Sequence, residues 1–190
     1  MRTSHKNTAK IIIGIFAVLL VGLMVFNMYR LNSKYPSGKI IAGESAESVT
    51  WAGCEFKIEN AEIMTLKQLI GKYKFDPDED PYGLYDNYVV FEISVEKKEN
   101  DEKQKLFEYD YIAVEKGGWF NQQSPIVSEI LNSEYIPLDE LRINEKETLI
   151  IAIGLIPEAF SDKSWENFNI NDVKVVLAVY PEKVFLNSIH

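Results

Sequence analysis

An uninterrupted apolar segment near the N-terminus constrains this chain more than any other feature. Residues 11–29 read IIIGIFAVLLVGLMVFNMY, in which Asn27 is the only strongly polar member. As a helix, these residues span about 28 Å, close to the roughly 30 Å hydrocarbon core of a bilayer. The sequence therefore predicts a transmembrane helix over 11–29, preceded by a short tail over 1–10.

The same segment raises the question of whether it is cleaved. Secretory signals usually have a shorter apolar region, of about 7–15 residues, followed by a small-x-small cleavage site. Here the segment runs into Asn-Met-Tyr-Arg-Leu-Asn, which lacks that spacing. We interpret it as an uncleaved signal-anchor, with a cleaved signal peptide as the alternative.

The orientation follows from what lies on each side of the span. Basic residues flank both ends in similar number, so the positive-inside bias is slight. A ten-residue tail is too short to form a domain, whereas the remainder of the chain is long enough. We expect a cytoplasmic tail (1–10), a stalk (30–46) and an extracytoplasmic domain (47–190), in a single-pass protein of the cell membrane.

Charge divides the chain in the same way. Residues 1–40 contain six basic side chains and no acidic one, whereas residues 41–190 hold 14 basic and 29 acidic side chains, a net charge of −15. Such an acidic body repels nucleic acid and anionic lipid headgroups. Nucleic acid is thereby excluded as an expected partner. Two interpretations of the acidic charge stay open: it keeps a surface domain soluble, or it attracts cationic partners or divalent metals.

The stretch WAGC, residues 51–54, ends like a bacterial lipobox. A lipobox cysteine must follow the apolar region directly, but 24 residues separate Tyr29 from Cys54. Cys54, Phe56 and Ile58 instead alternate with charged residues, as in a half-buried strand. As the chain's single cysteine it forms no internal disulfide, so we predict a core thiol, with a lipid anchor or a reactive thiol as alternatives.

Alternating and β-branched runs dominate the rest of the chain and predict strands. The predicted strands are 54–59, 87–97, 105–115, 147–155 and 172–180. Two short helices are predicted at 65–71 and 125–132, the second from Pro125 after Ser124. About seven short strands in one domain point to an all-β fold, an immunoglobulin-like β-sandwich with an N-terminal transmembrane helix and one or two short helical insertions.

Two segments, YVVFEISVEKKEND and LRINEKETLIIAIGLIPE, carry a resemblance that covers roughly residues 50–180. They resemble secreted immunoglobulin-like domains of bacterial unknown-function families, which are typically lipoproteins or membrane-anchored. The resemblance implies an extracytoplasmic sandwich and assigns no functional residues. This chain departs from that pattern in its signal-anchor and in an acidic insertion at 72–86.

No spacing in the sequence indicates a catalytic motif, and a Ser–Lys dyad stays open as an alternative. Its two histidines, His5 and His190, lie near the chain ends, so Ser–His and Cys–His arrangements inside the domain are excluded. Gly117-Gly118 is a turn signal and no phosphate-binding loop. We therefore predict no catalytic residues, no cofactor site and no cofactor.

The acidic loop DPDEDPYGLYDNY, residues 76–88, is the most pointed local feature. Asp76, Asp78 and Asp80 match positions 1, 3 and 5 of a calcium-binding loop, but Pro81 and Asn87 occupy positions that need Gly and Glu. The sequence predicts a solvated acidic loop and no metal ligand, with a shallow extracellular calcium site as the alternative.

Aromatic residues offer two interpretations. Tyr82, Tyr85, Tyr88, Trp119 and Phe120 either close the ends of the core or grip a sugar or peptide from exposed loops. Together these features predict a non-enzymatic binding module for an unknown protein or cell-wall ligand. The alternative is a cell-envelope enzyme, or an accessory subunit of a membrane complex, that uses the same scaffold.

Overall fold

The computed structural model describes residues 3–34, 38–42, 48–74 and 85–187. The chain divides into two compact units, Met1–Gly38 and Lys39–His190.

Helix α1, Thr3–Lys34, forms the first unit. Its segment Gly14–Lys34 has a mean hydropathy of 1.9, which makes it long and apolar enough to cross a membrane. Length and composition of this kind are also typical of a signal sequence near an N-terminus. The side chains of residues 14–34 are exposed, and a helix of this kind is compatible with either a membrane anchor or a signal peptide.

One sheet of the second unit is a four-stranded antiparallel layer in the order β2-β3-β4-β7. Along the first half of β3, buried residues alternate with partly exposed ones because one face packs on the core, whereas the second half of β7 is buried on both faces. The strands are β2 (Ser48–Trp51), β3 (Cys54–Thr65), β4 (Asn87–Lys97) and β7 (Lys146–Leu155).

The other sheet has five strands in the order β1-β9-β8-β5-β6, and β1 pairs in parallel with β9. Its strands are shorter, at four to six residues each, and the remaining pairs are antiparallel. The strands are β1 (Lys39–Ala42), β5 (Ala113–Lys116), β6 (Trp119–Gln122), β8 (Lys174–Ala178) and β9 (Glu182–Asn187).

The two sheets share one hydrophobic core. Phe56, Phe91 and Ile151 from the first sheet lie in the same buried cluster as Val114 and Val175 from the second. Burial of this apolar surface, at about 25 cal/mol per Å², is the main stabilising contribution to such a two-sheet fold. The domain is therefore mostly β, with two sheets packed on a common core.

Short helices complete the domain. Helix α2, Leu66–Tyr73, begins at the capping box of Thr65 and Gln68, and helix α3, Pro125–Leu131, begins at its proline after Ser124. These confirm the two predicted helices. A third, α4, spans Asp162–Glu166 and was not predicted.

The predicted strand 105–115 is wrong over most of its length. Two 3-10 turns, Glu102–Leu106 and Tyr109–Tyr111, occupy the segment, and β5 begins only at Ala113. The Asp101 carboxylate starts the first turn by accepting a hydrogen bond from the Lys103 backbone N–H at 2.9 Å. The apolar alternation of this segment arises from irregular backbone in which Phe107 packs on the core and Tyr111 is exposed.

The range expected to form a stalk, 30–46, is partly regular. Helix α1 continues to Lys34, and Lys39–Ala42 pairs with β9 as strand β1. Strands β2, β6 and β9 were also not predicted, because short strands that pair with distant partners carry little local pattern.

The stretch WAGC forms a hairpin turn. Trp51 pairs with Cys54, and the two residues between them, Ala52 and Gly53, have φ of 51° and 68°. Two consecutive positive φ values are those of a type I′ turn, which suits the twist of an antiparallel hairpin. Cys54 is fully buried in the shared core, so the prediction of a core thiol is confirmed.

Candidate functional site

A groove of about 560 Å³ is the candidate site. It lies where three separate parts of the chain meet: the segment 103–111, strand β6 and the connection from β8 to β9. That connection contains a cis peptide bond between Tyr180 and Pro181. Its lining is completed by Trp51 at the end of β2.

Exposed apolar side chains are concentrated in this groove. Leu106 is 74% exposed, Tyr111 65%, Phe120 52%, Val179 58% and Tyr180 65%, and all five line it. Other exposed large hydrophobic residues in the described part of the domain are isoleucines. All three exposed aromatic side chains found between residues 39 and 187, where described, belong to the groove. A contiguous patch of this kind is typical of an interaction site.

An ion pair fixes one wall of the groove. The Lys103 ammonium donates to the Glu182 carboxylate at 2.8 Å, and the Trp51 indole N–H donates to the same oxygen at 3.2 Å. These two donors, Lys103 first, hold the pKa of Glu182 below its usual range. The pair joins the segment 103–111 to the start of β9, so it positions the apolar residues on either side.

Glu108 brings a negative charge to the lining of the groove, and Asp110 lies two residues further along the same segment. Glu108 is exposed in the lining, and no ion pair to it is found among the described residues. In Asp110, the Oδ1 atom is buried and has no hydrogen-bond partner in the described part of the chain. The Asp110 backbone carbonyl accepts a hydrogen bond from the Gln122 side chain at 2.8 Å, which ties this segment to β6.

The buried side-chain amide of Gln104 anchors the segment 103–111. Gln104 is 3% exposed, and its Nε2 donates to the carbonyls of Ala52 at 2.9 Å and Glu99 at 2.8 Å. The same nitrogen lies 3.8 Å from the Cys54 Sγ. Gln104 therefore anchors the turn that carries Lys103 and Leu106 to the β2–β3 hairpin.

The Cys54 thiol should resist chemical modification in the folded protein. Burial raises the pKa of this thiol, so it remains neutral at pH 8, where an unfolded cysteine is partly ionised. Stability from the buried neutral thiol is present below the unfolded pKa and decreases as pH rises toward the folded value. A thiol reagent at pH 8 is expected to label the protein only after denaturation, and fast labelling of the native protein would contradict the core assignment.

Cys54→Ser is expected to lower the free energy of unfolding by about 1–3 kcal/mol.

The aromatic residues considered from the sequence divide between core and site. Tyr88 is 1% exposed, and its hydroxyl accepts a hydrogen bond from the Tyr85 backbone N–H. Trp119 packs against Phe160 at a ring-centroid distance of 5.2 Å. Phe120 lines the groove, whereas Tyr82 lies outside the described residues.

Asp76, Asp78 and Asp80 of the acidic loop lie outside the described residues. His190 lies outside them as well, as does the side chain of His5. In the described portion, no group of three or more His, Cys, Asp or Glu residues is arranged to hold a metal ion.

Leu106, Tyr111 and Tyr180 were missed as site residues from the sequence. Tyr111 was expected on the apolar face of a strand, and Tyr180 at the end of another. A signal was available in VYP, residues 179–181, because a proline after an aromatic residue is typical of a turn and not of a buried strand.

Residues 28–184 match the model of a family described as a domain of unknown function, DUF5028. The matched range includes all three segments that line the groove. No curated protein and no solved structure gives a significant match to the chain.

Proposed function

Since the chain belongs to the DUF5028 family, a domain of unknown function, we propose its role from the groove: it is a membrane-anchored, extracytoplasmic binding module. The observation that carries this proposal is the convergence of five exposed apolar residues, three of them aromatic, on one groove. Exposing such residues to water is unfavourable, and binding a partner removes that cost.

The geometry of the lining favours binding over catalysis. Tyr and Phe side chains supply large contact area with few rotatable bonds, which suits recognition. The titratable side chains of the groove are Lys103, Glu108, Tyr111, Tyr180 and Glu182, and the first and last of these are engaged with each other. The proposed role is therefore non-enzymatic, with the groove as the seat of a protein or cell-wall ligand.

An immunoglobulin-like topology is part of this proposal. Strand order β9-β8-β5-β6 corresponds to G-F-C-C′, and β3-β4-β7 corresponds to A-B-E. The chain departs from that scheme through two added strands, β1, which pairs in parallel with β9, and β2. The single cysteine also rules out the inter-sheet disulfide of antibody domains.

Anchoring by helix α1, with the domain outside, has its own test. Protease added to intact cells is expected to remove the domain and leave a membrane fragment of about 35 residues, because the span of about 30 Å needs about 20 apolar residues. The fragment is detected with an N-terminal epitope tag. A mature N-terminus located between residues 25 and 60 would instead identify a cleaved signal peptide.

The binding role is tested by comparing two double variants of the full chain. Leu106→Ser/Tyr180→Ser changes exposed groove residues, and Ile63→Ser/Ile143→Ser changes exposed residues elsewhere. Envelope extract is passed over wild type and both variants, and retained proteins and polymers are quantified. We expect retention of a specific ligand to fall about tenfold or more in the groove variant only, as removal of buried contact residues typically gives. Equal retention by all three proteins contradicts the proposal.

A further inference from the structure

The charge of the groove is unbalanced. Its one lysine, Lys103, is already paired with Glu182, whereas the Glu108 carboxylate is exposed and has no ion pair among the described residues. A carboxylate at the edge of an apolar surface becomes costly when a ligand displaces its water, unless the ligand supplies a positive charge. The groove therefore favours a cationic group beside Glu108.

One further observation points in the same direction. Residues 41–190 carry a net charge of −15, which attracts cations at long range and repels anionic lipid surfaces and nucleic acid. Charge complementarity thus selects against a membrane surface as the occupant.

The apolar side chains decide between a peptide and a sugar polymer. Tyr111, Phe120 and Tyr180 can accept either a sugar ring or a cationic side chain on their faces. Leu106 and Val179 are aliphatic and suit apolar side chains, whereas sugar recognition requires many hydrogen-bonding groups. In this lining the polar side chains outside the Lys103–Glu182 pair are Glu108, Gln122 and the hydroxyls of Tyr111 and Tyr180, and the Gln122 amide already donates to the Asp110 carbonyl. A peptide therefore fits the groove better.

We propose that the groove takes an extended segment of an envelope protein in which Lys or Arg is flanked by apolar residues. Glu108 receives the cation, and the aromatic and aliphatic residues receive its neighbours. This inference rests on the proposed binding function and adds the chemical class of the ligand.

The test selects ligands without assuming their identity. The full chain, held in detergent micelles, is used to select binders from a random dodecapeptide library. We expect the selected peptides to be enriched in Lys or Arg next to aromatic or aliphatic residues. For a selected peptide with arginine, replacing that arginine by neutral citrulline is expected to weaken binding about tenfold, which corresponds to about 1.4 kcal/mol.

Glu108→Gln identifies the carboxylate that receives the charge. We expect this variant to bind the arginine peptide about tenfold more weakly and to lose its preference for arginine over citrulline, as in a double-mutant cycle. Glu140→Gln, at an exposed carboxylate outside the groove, is the control and should bind like wild type.

Each alternative outcome has one meaning. Binding that needs Tyr180 but ignores peptide charge overturns the cationic ligand and leaves the binding function intact. Peptides that bind equally to the Leu106→Ser/Tyr180→Ser variant overturn both proposals. A library without binders, together with groove-dependent retention of a cell-wall polysaccharide, overturns the peptide assignment alone.

Discussion

Gly53→Ala is expected to lower the free energy of unfolding of the domain by about 2–5 kcal/mol. Gly53 has a φ of 68°, and a Cβ at this position would lie 2.6 Å from the backbone oxygen of Glu99. That oxygen belongs to backbone, so a side-chain rotation cannot relieve the clash. The Gly53 carbonyl also accepts hydrogen bonds from the backbone N–H groups of Lys98 at 2.8 Å and Glu99 at 3.0 Å, which couples the hairpin to the next turn.

Two other glycines serve as controls that separate the steric clash at Gly53 from the strain of its positive φ. Gly117 has a φ of 59° with no atom within 4 Å of an added Cβ, so Gly117→Ala should cost only the backbone strain, about 1 kcal/mol. Gly118→Ala has neither feature and should change stability little. Urea unfolding followed by tryptophan fluorescence reports on the domain, because all three tryptophans, Trp51, Trp119 and Trp165, lie in it. If Gly53→Ala lowers the free energy of unfolding no more than Gly117→Ala does, the steric clash is not the cause.

Asn132→Leu is expected to have the second large effect, about 2–4 kcal/mol. The buried Asn132 amide donates to the Ile150 carbonyl at 2.9 Å and accepts from the Ile150 N–H at 2.8 Å, so it imitates a neighbouring strand. Leucine has the same branched shape but leaves these two backbone groups without partners, each at a cost of about 1–3 kcal/mol. Asn167→Leu is the control: it removes one exposed hydrogen bond from the Asn167 side chain to the Lys163 carbonyl and should cost under about 1 kcal/mol.

Asn132 belongs to a row of amides along the outer edge of β7. Gln123 Oε1 accepts from the Ala152 N–H at 3.4 Å, and Asn121 Nδ2 donates to the Gly154 carbonyl at 3.0 Å. These contacts satisfy alternate residues of an edge strand that would otherwise be open to pairing with another chain. Concentration-dependent self-association is therefore a second expected result of Asn132→Leu. An Asn132→Leu variant as stable and as monomeric as wild type would show that this amide does not protect the edge of β7.

The sequence predicts some elements of this fold closely because their pattern is local. Alternation in NYVVFEISVEK predicts 87–97, which is the observed range of β4. Pro125 after Ser124 predicts the start of α3 correctly, because a proline is favourable in the first helical turn. Long strands and helix starts carry their signal in their own residues.

The groove was not predictable in this way. Its residues come from 103–111, 120–122 and 177–182, and their convergence depends on strand pairings far apart in sequence. The segment with Leu106 and Tyr111 also imitates a strand, because irregular backbone can present apolar residues in alternation. Of the five aromatic residues singled out from the sequence, only Phe120 is found in the lining of the groove that the structure describes.

Site-specific photo-crosslinking in intact cells tests the binding role of the groove most directly. A photoreactive phenylalanine analogue is placed at Tyr180 in the groove or at Ile143, which is 51% exposed outside it. We expect one discrete adduct at Tyr180, no adduct at Ile143, and loss of the Tyr180 adduct when Phe120→Ser is added. Adducts of equal yield at both positions, or an adduct that persists with Phe120→Ser, would contradict the groove as a ligand site.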